Sequence, residues 1–286
     1  MESPPLPAPA ARPSVEALAA LLRSRRTLVL SGAGLSTESG IPDYRGPQGA
    51  LRNRRPMQYR EFVGSEDARR RYWSRSAVGW SRLALARPNA GHSALARLEK
   101  AGAVVGVITQ NVDGLHQAAG SQRVLELHGT LAAVRCLSCG RGEPRDSWQA
   151  RLLADNPGWA ARADEAETAP DGDVELAPGL AAAVSIPGCI HCGGVIKPDV
   201  VFFGESVPAP RVEAAWSMLS AADALLVVGS SLAVFSGFRF VERAARDGKP
   251  VAIVNQGSTR GDRHAAVRVQ ARLGDVLPLL AEALAG

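Results

Sequence analysis

Short apolar runs alternate with stretches of helical periodicity along most of the chain. Runs with the length and the branched residues of buried strands lie at 27–30, 103–109, 224–228 and 250–254. Helical patterns lie at 90–100, 210–221 and 238–247. Strands that alternate with helices form parallel sheets covered on both faces. The pattern therefore predicts an α/β fold, doubly wound and Rossmann-like.

Each of these predicted strands runs into a glycine-rich or polar tail. The tails are Gly32-Ala33-Gly34, Gln110-Asn111, Gly229-Ser230-Ser231 and Asn255-Gln256-Gly257. Open parallel sheets bind their ligands beyond the carboxyl ends of the strands. The four tails are therefore expected to build one ligand site.

Two segments interrupt the alternation and predict a smaller domain inserted into the first. Residues 46–87 are rich in Arg and aromatic residues and predict a helical insert, whereas 136–194 hold the cysteines and show little periodicity. The Rossmann-like domain then comprises 14–45, 88–135 and 195–286. Residues 1–13 are rich in Pro and Ala and are expected to be disordered, with Ser14 as the N-cap of the helix that follows.

Composition narrows the class of protein. Of the 286 residues, 46% are hydrophobic and 21% charged, which is typical of a folded chain. No apolar run is long enough to span a bilayer, and the start has no secretory signal pattern. Several arginines near the start suggest an organelle transit peptide, but Glu2, Glu16 and the Pro-rich opening argue against one. A cytoplasmic protein is expected.

The positive charge does not indicate nucleic-acid binding. The net charge is +5, yet the basic residues are almost all Arg, the lysines being Lys100, Lys197 and Lys249. The basic clusters at 52–55 and 69–71 are short and lack the interleaved aromatic residues of a base-stacking platform. We interpret them as solvated helix faces and expect no nucleic-acid partner.

The four cysteines form two C-x-x-C pairs, Cys136 with Cys139 and Cys189 with Cys192. In a cytoplasmic protein such pairs favour a metal site over disulfides, and four thiolates fill a tetrahedral, structural zinc site. Loop closure costs little more for a long loop, so the 49 residues between the pairs are tolerable. His191, inside the second pair, is a competing ligand, and disulfides remain the alternative.

The segment SGAGLSTESGIPDYR at 31–45 follows a predicted strand with a glycine turn, which can present N–H groups to a phosphate. It does not fit the dehydrogenase fingerprint. Thr37 stands at the third glycine position, and Arg54 and Arg55 stand near the place where an acidic residue is expected. A glycine-rich turn without a ligand is the alternative interpretation.

An ordered set of motifs resembles the sirtuin (Sir2) family from about residue 15 to the C-terminus. After the glycine loop come TQNVDGLH at 109–116, ELHG at 126–129, the cysteine pairs, KPDVVFFGE at 197–205, GSSL at 229–232 and Asn255. The strings RRYWSR, VGW, PDGDV, FRF and VNQGSTRGD are most similar to the class II branch. Gln256-Gly257 stands where the family varies, so only the contacts to the adenosine end are affected.

The resemblance implies an NAD-dependent protein-lysine deacetylase or deacylase. Family members consume NAD: its nicotinamide–ribose bond is cleaved, and the acyl oxygen of a modified lysine attacks the ribose. Nicotinamide, O-acyl-ADP-ribose and free lysine are the products. By resemblance, Asn111 positions a water and the ribose, Asp113 binds the nicotinamide carboxamide, and His128 is the general base, a role that suits an imidazole.

The resemblance also implies contacts to NAD and to substrate. NAD contacts are expected at Gly32, Ala33, Gly34, Ser36, Thr37, Pro42, Asp43, Tyr44, Arg45, Gln110, Asn111, Asp113, Gly229, Ser230, Ser231, Asn255, Gln256, Gly257 and Leu273. Arg45 would pair with the diphosphate, Tyr44 would shield the ribose, and His116 would support the pocket. Val201, Phe203, Gly204 and Glu205 would pair with the peptide main chain, although an ordinary edge strand has the same pattern.

Tyr72 and Arg75 stand three residues apart on a predicted helix and resemble the carboxylate-binding pair of sirtuins that remove acidic acyl groups. An Arg-rich helix also produces this spacing by chance.

Three other functions stay open: mono-ADP-ribosyl transfer to protein, a non-catalytic NAD-sensing scaffold and, more remotely, a hydride-transferring dehydrogenase. The expected partners are acylated protein lysines, and the expected oligomeric state is a monomer.

Overall fold

The computed structural model describes residues 11–44, 56–159, 179 and 184–285, with the side chains of 11–13 and 82 left aside. The predicted disorder of 1–13 falls mostly on residues outside this set. The first helix begins at Ala11, so Ser14 lies within its first turn and not at the predicted N-cap.

The strands form two sheets. In chain order they are β1 (Thr27–Ser31), β2 (Val104–Thr109), β3 (Val124–Glu126), β4 (Gly129–Cys136), β5 (Gly142–Pro144), β6 (Ile196–Val200), β7 (Ala224–Val228), β8 (Val251–Val254) and β9 (Ala265–Val269). The six-stranded sheet has the order β3-β2-β1-β7-β8-β9, and all its neighbouring strands are parallel. The strand order reverses between β1 and β7, which is where such sheets bind ligands.

The helices are α1 (Ala11–Leu22), α2 (Tyr59–Gly64), α3 (Glu66–Leu83), α4 (Ala90–Lys100), α5 (Leu115–Ala118), α6 (Arg145–Ala154), α7 (Ala209–Ala221), α8 (Phe235–Arg246) and α9 (Leu273–Ala285). Helices α1, α4 and α9 cover one face of the parallel sheet, and α7 and α8 cover the other. Successive strand residues face opposite sides, so Val29 packs in the first layer while Leu28 and Leu30 pack in the second. The predicted fold class is confirmed.

The smaller unit contains the second sheet, with the antiparallel order β5-β4-β6. The first residue of this sheet in chain order is Gly129 and its last is Val200. Buried and exposed residues alternate from Val134 to Cys136, the pattern of a strand with one covered face, after an irregularity at Ala132 and Ala133. Helices α2 and α3, which lie within 46–87, pack against this sheet.

An aromatic core fills the space between these helices and the small sheet. Trp73 and Trp148 are fully buried there, and their ring centroids are 3.8 Å apart. The guanidinium of Arg145 is buried beside them, 5.3 Å from the centroid of Trp73 and 5.2 Å from that of Trp148. Burial lowers the pKa of Arg145 to about 10, so the side chain stays charged. Within the described part of the chain, no helix is both long enough and apolar enough to cross a membrane.

Gly129 joins the two units under a severe steric constraint. Its φ is +83°, and a Cβ atom built there would lie 1.9 Å from the carbonyl oxygen of Asp199. Gly102, which follows α4, has a similar φ of +79°, but its Cβ would meet nothing within 4 Å. Both glycines therefore have the left-handed backbone that strains an alanine, but only Gly129 would also suffer steric overlap.

We expect Gly129→Ala to destabilise the fold more than Gly102→Ala. A left-handed backbone costs an alanine about 1–2 kcal/mol, and overpacking adds about 1–3 kcal/mol at residue 129 alone. Urea unfolding of the two variants and the wild type measures the difference. Equal losses of unfolding free energy would show that the approach of Asp199 relaxes without cost.

Candidate active site

A cleft of about 670 Å³ lies beyond the carboxyl ends of β1, β2, β7 and β8, facing the smaller unit. All four predicted tails line it. Of the residues expected to contact NAD, the lining includes Gly32, Ala33, Gly34, Ser36, Thr37, Asp43, Tyr44, Gln110, Asn111, Asp113, Gly229, Ser230, Ser231, Asn255, Gln256, Gly257 and Leu273. Pro42 is not part of the lining, and Arg45 lies outside the described residues.

The glycine loop packs backbone to backbone against the tail of β7. A Cβ atom at Gly32 would lie 2.7 Å from Ser230 Cβ, and one at Gly34 would lie 2.9 Å from the Gly229 carbonyl oxygen. The Gly34 N–H donates to that same oxygen at 2.9 Å. The loop continues into two short 3₁₀ turns, Ala33–Leu35 and Thr37–Ser39. These glycines therefore bring the two loops together, and one N–H expected to face a phosphate is already bonded.

Asn111, Ser36 and Asp113 form a hydrogen-bonded chain along one wall. The Asn111 side-chain amide donates to the Gly32 carbonyl at 3.1 Å and to the Ser36 hydroxyl at 3.0 Å. Ser36 donates to one carboxylate oxygen of Asp113 at 2.6 Å, and the other oxygen accepts from the Leu115 N–H at 3.0 Å. Both amide N–H groups of Asn111 are thus used, and its side-chain oxygen is the atom left for a ligand.

His128 lines the cleft at the junction of β3 and β4 and is held at both ring nitrogens. Nδ1 lies 3.0 Å from the Gln110 carbonyl oxygen, and Nε2 lies 2.8 Å from the Ser236 hydroxyl. A carbonyl only accepts, so Nδ1 carries the proton of the neutral ring and Nε2 keeps a lone pair. Burial lowers the pKa of His128, and the charges of Arg239 and Arg211 lower it further against the opposing Gln110 bond. The ring is therefore a neutral base near pH 7.

The buried side chains of His92 and His116 are not suited to proton transfer. His116 Nε2 is bonded to the Ser31 hydroxyl at 2.7 Å, and the His92 ring lies 5.2 Å from the His116 ring. Burial lowers the pKa of His116 to about 3 and that of His92 to about 4. His92 also belongs to the capping box of α4. Both side chains are neutral packing groups away from the cleft lining.

The segment after β6 forms the opposite wall and includes Val201, Phe203, Gly204 and Glu205. Val201 donates its N–H to the His128 carbonyl at 2.8 Å, and the Phe203 carbonyl accepts from the Tyr59 N–H at 2.9 Å. Glu205 pairs with the buried Lys197 at 3.0 Å and accepts from the Phe202 N–H. Glu205 thus braces this segment from within, a role that the sequence did not indicate.

Tyr72 and Arg75 lie on α3, outside the described cleft lining. Tyr72 is buried among the rings of Phe62, Trp73 and Phe202, with centroids 5.1 to 5.5 Å away. Phe202 itself lines the cleft. The Tyr72 ring therefore packs against the cleft residue Phe202 without lining the cleft itself, and Arg75 is half-buried on the same helix.

The four cysteine sulfurs fit a zinc ion. Cys136 Sγ lies 3.5 Å from Cys192 Sγ, Cys139 Sγ lies 3.7 Å from Cys189 Sγ, and all four sulfurs lie within 4.8 Å of one another. Thiolates bound to zinc in a tetrahedron at ~2.3 Å are about 3.8 Å apart, whereas a disulfide requires about 2.05 Å. The cysteines are free thiols, so the alternative of disulfides is not supported. The geometry fits a closed, structural site away from the cleft.

Part of the lining was not predicted. It comes mainly from the start of α8 and the segment before it, Leu232, Ala233, Val234, Phe235 and Ser236, together with Glu38, Ile41, Val112, Val200, Phe202, Val207, Ser258 and Ala271. A serine near a helix start has the sequence signature of a cap, so its contact with His128 had no signal of its own.

The chain is similar to known proteins over most of its length. The model of the Sir2 family matches residues 32–236. The NAD-dependent protein deacetylase of Xanthomonas campestris pv. campestris (strain 8004) is 54% identical over 258 residues, 90% of this chain and 87% of that protein. The NAD-dependent protein deacetylase 1 of Streptomyces coelicolor is 54% identical over 263 residues, 92% and 87% of the two chains. A solved structure described as Sir2-p53 peptide-NAD+ superposes with a TM-score of 0.74 at 30% identity, over 93% of this chain and 96% of the other.

We expect Cys139→Ala to lose zinc and to unfold at a lower temperature. Three ligands remain, and because metal binding is coupled to folding, the loss should amount to several kcal/mol. His191→Ala is the matched control, since His191 is outside the four-sulfur cluster. Elemental analysis and thermal melting are the measurements. A Cys139→Ala variant with full zinc and an unchanged melting temperature would disprove the structural role.

Proposed function

The chain belongs to the Sir2 family and is an NAD-dependent protein deacetylase, and from that premise we propose how the described residues divide the reaction among them. The observation that carries the proposal is the neutral His128, whose Nε2 lone pair is in the same cleft as Asn111 and Asp113. The breadth of acyl groups removed, the class II assignment and the individual residue roles are parts of the proposal.

The cleft fits NAD in size and shape. Its volume of about 670 Å³ is in the range of cofactor sites, and its floor is the glycine cradle where a side chain at residue 32 or 34 would overlap Ser230 or Gly229. We propose that this cradle and the tails at 229–231 and 255–257 hold the diphosphate and adenosine. NAD supplies the nicotinamide–ribose bond that is broken in the reaction.

Asn111 and Asp113 are assigned to the nicotinamide end. Their bonds to Ser36, Gly32 and the Leu115 N–H hold them against the wall before any ligand enters. A ribose that develops positive charge is stabilised by oxygen dipoles fixed in advance in a site that excludes water. The amide oxygen of Asn111 is suited to orient the ribose, and the Asp113 carboxylate is suited to accept from a carboxamide N–H.

His128 is assigned as the general base. Its neutral ring carries the lone pair on Nε2, so it can take a proton from a ribose hydroxyl without first losing its own. The positive charges nearby disfavour a second proton on the ring, which keeps the base available at neutral pH.

Acylated protein lysines are the substrate class. We propose that Val201 and the segment 203–205 pair with the peptide main chain, since Val201 is bonded to the His128 carbonyl and thereby places the segment beside the base. Mono-ADP-ribosyl transfer would leave a different product mass on the protein, so mass spectrometry of the products separates it from deacylation. The monomeric state, the cytoplasmic location and the lack of a nucleic-acid partner stay predictions.

We expect His128→Ala to abolish deacylation while NAD affinity changes by only a small factor. A general base contributes roughly 100- to 10,000-fold to the rate, and the hydrogen bonds of His128 are to protein groups rather than to the glycine cradle. The control is His264→Ala, because His264 is outside the cleft lining. Turnover and NAD titration provide the two readouts. A His128→Ala rate above about a tenth of wild type would refute the assignment.

The acyl preference depends on whether Tyr72 and Arg75 bind a carboxylate. If Tyr72 and Arg75 form a carboxylate site behind Phe202, the enzyme should prefer glutaryl-lysine to acetyl-lysine, because a guanidinium pairs well with a carboxylate. Arg75→Met should then invert the preference. The matched control is Arg71→Met, one turn earlier on α3, where Arg71 pairs with Glu61 on the surface. An acyl-peptide panel read by mass spectrometry is the measurement. Equal losses on both peptides would mean that Arg75 only supports the fold, and acetyl would stay the expected substrate.

A further inference from the structure

Ser236 holds the nitrogen of His128 that the reaction needs. It lies in the first turn of α8 and lines the cleft, and its hydroxyl is 2.8 Å from His128 Nε2. Since Nδ1 already donates to the Gln110 carbonyl, Nε2 can only accept, and the Ser236 hydroxyl must be the donor. The imidazole is therefore fixed at both ends, with its lone pair held by a group that a substrate hydroxyl can replace.

Ser236 is itself fixed by Arg239, one turn along α8. Arg239 Nε donates to the Ser236 carbonyl at 3.1 Å, and the guanidinium carbon lies 5.2 Å from the Phe240 ring centroid and 5.6 Å from that of Trp216. Gly237 leaves room for the Gln110 side chain, because a Cβ atom at residue 237 would lie 2.6 Å from its oxygen. The start of α8 and the end of β2 thus meet around the base.

Arg239 also carries the uncompensated charge of this region. Arg211, on α7, is the other cation acting on His128, but Asp199 at the end of β6 pairs with it at 3.0 Å. No carboxylate pairs with Arg239 among the described residues, and its buried Nη2 has no hydrogen-bond partner there. A positive charge beside an imidazole disfavours the imidazolium form.

We propose that Ser236 is a positioning residue for the general base, and that Arg239 supports it by holding the Ser236 backbone and by placing a positive charge, unpaired among the described residues, one turn along α8. Ser236 keeps the Nε2 lone pair directed into the cleft until the ribose hydroxyl takes its place. This inference rests on the base role proposed for His128. Loss of all deacylation in His128→Ala tests that role separately from the Ser236 variants.

The first test compares Ser236→Ala with Ser236→Thr, which keeps the hydroxyl. Two rates are measured on each variant. Formation of O-acyl-ADP-ribose requires the general base. Exchange of labelled nicotinamide into NAD in the presence of acetyl-peptide takes place before the step in which the base acts. The ratio of product formation to exchange should fall about tenfold in Ser236→Ala, the effect of losing one hydrogen bond, and return to within about threefold in Ser236→Thr.

Two outcomes would overturn the role of Ser236. An unchanged ratio in Ser236→Ala would show that the hydroxyl does not assist the base, whether or not both rates fall together. A Thr variant with the same ratio as the Ala variant would show that the hydroxyl is not the active group. Thermal melting of each variant establishes that the folded protein is being assayed.

The second test follows the pH dependence of kcat/KM. Deacylation falls at low pH as His128 takes up a proton, and removing a nearby cation raises the pKa of the base. The acid limb should therefore move to higher pH in Arg239→Met and move less in Arg239→Lys, which keeps the charge. Arg243→Met is the matched control on the same helix, because Arg243 pairs with Asp247. An acid limb that stays in place in Arg239→Met, or that moves equally in Arg243→Met, would contradict the assignment to Arg239.

Discussion

The hydrogen bond from His128 Nδ1 to the Gln110 carbonyl is the contact on which the site depends. Gln110 immediately follows β2 of the parallel sheet, while His128 immediately precedes β4 of the small sheet. The bond sets the tautomer of the His128 ring, and the backbone carbonyl of His128 accepts from the Val201 N–H. One residue therefore joins the proposed NAD-binding wall, the proposed peptide-binding wall and, through its second nitrogen, the start of α8.

Strand β4 connects the proposed base to the zinc site. Gly129 at its start pairs with Val200, and Cys136 at its end pairs with Ile196, so β4 and β6 run side by side from the cysteines to the cleft. A structural metal contributes folding energy where the local core is small. A zinc ion held by the four cysteines would stabilise β6, and with it the segment 201–205 that follows, beside His128. A zinc site with that structural role needs no open coordination position and can lie away from the cleft.

The sequence predicted the parallel strands well because their burial on both faces makes them continuous apolar runs, and the predicted strand 224–228 matches β7. Among the helices, the predicted 90–100 matches α4. It did not predict β3, which is only three residues long and half-buried. The strand β4 was also missed, since its alternating pattern is short and irregular where the pairing shifts. The burial of Arg145 was not predicted either, because two of the three tryptophans around it, Trp73 and Trp80, are distant in sequence. Tertiary packing, not local preference, decides these cases.

The same distinction explains which site residues could be found. The glycine loop and the segments 109–116 and 126–129 are each short continuous motifs, so their resemblance to the Sir2 family can be recognised in the sequence, and that resemblance implies their chemistry. Ser236 is 108 residues from His128, and only the meeting of α8 with the end of β2 brings their side chains together. A neutral imidazole that is held only at Nδ1 can still tilt its lone pair away from the reacting hydroxyl. A partner at Nε2 removes that freedom, and because the partner is a hydroxyl it can be replaced by the ribose hydroxyl with little loss of hydrogen bonding.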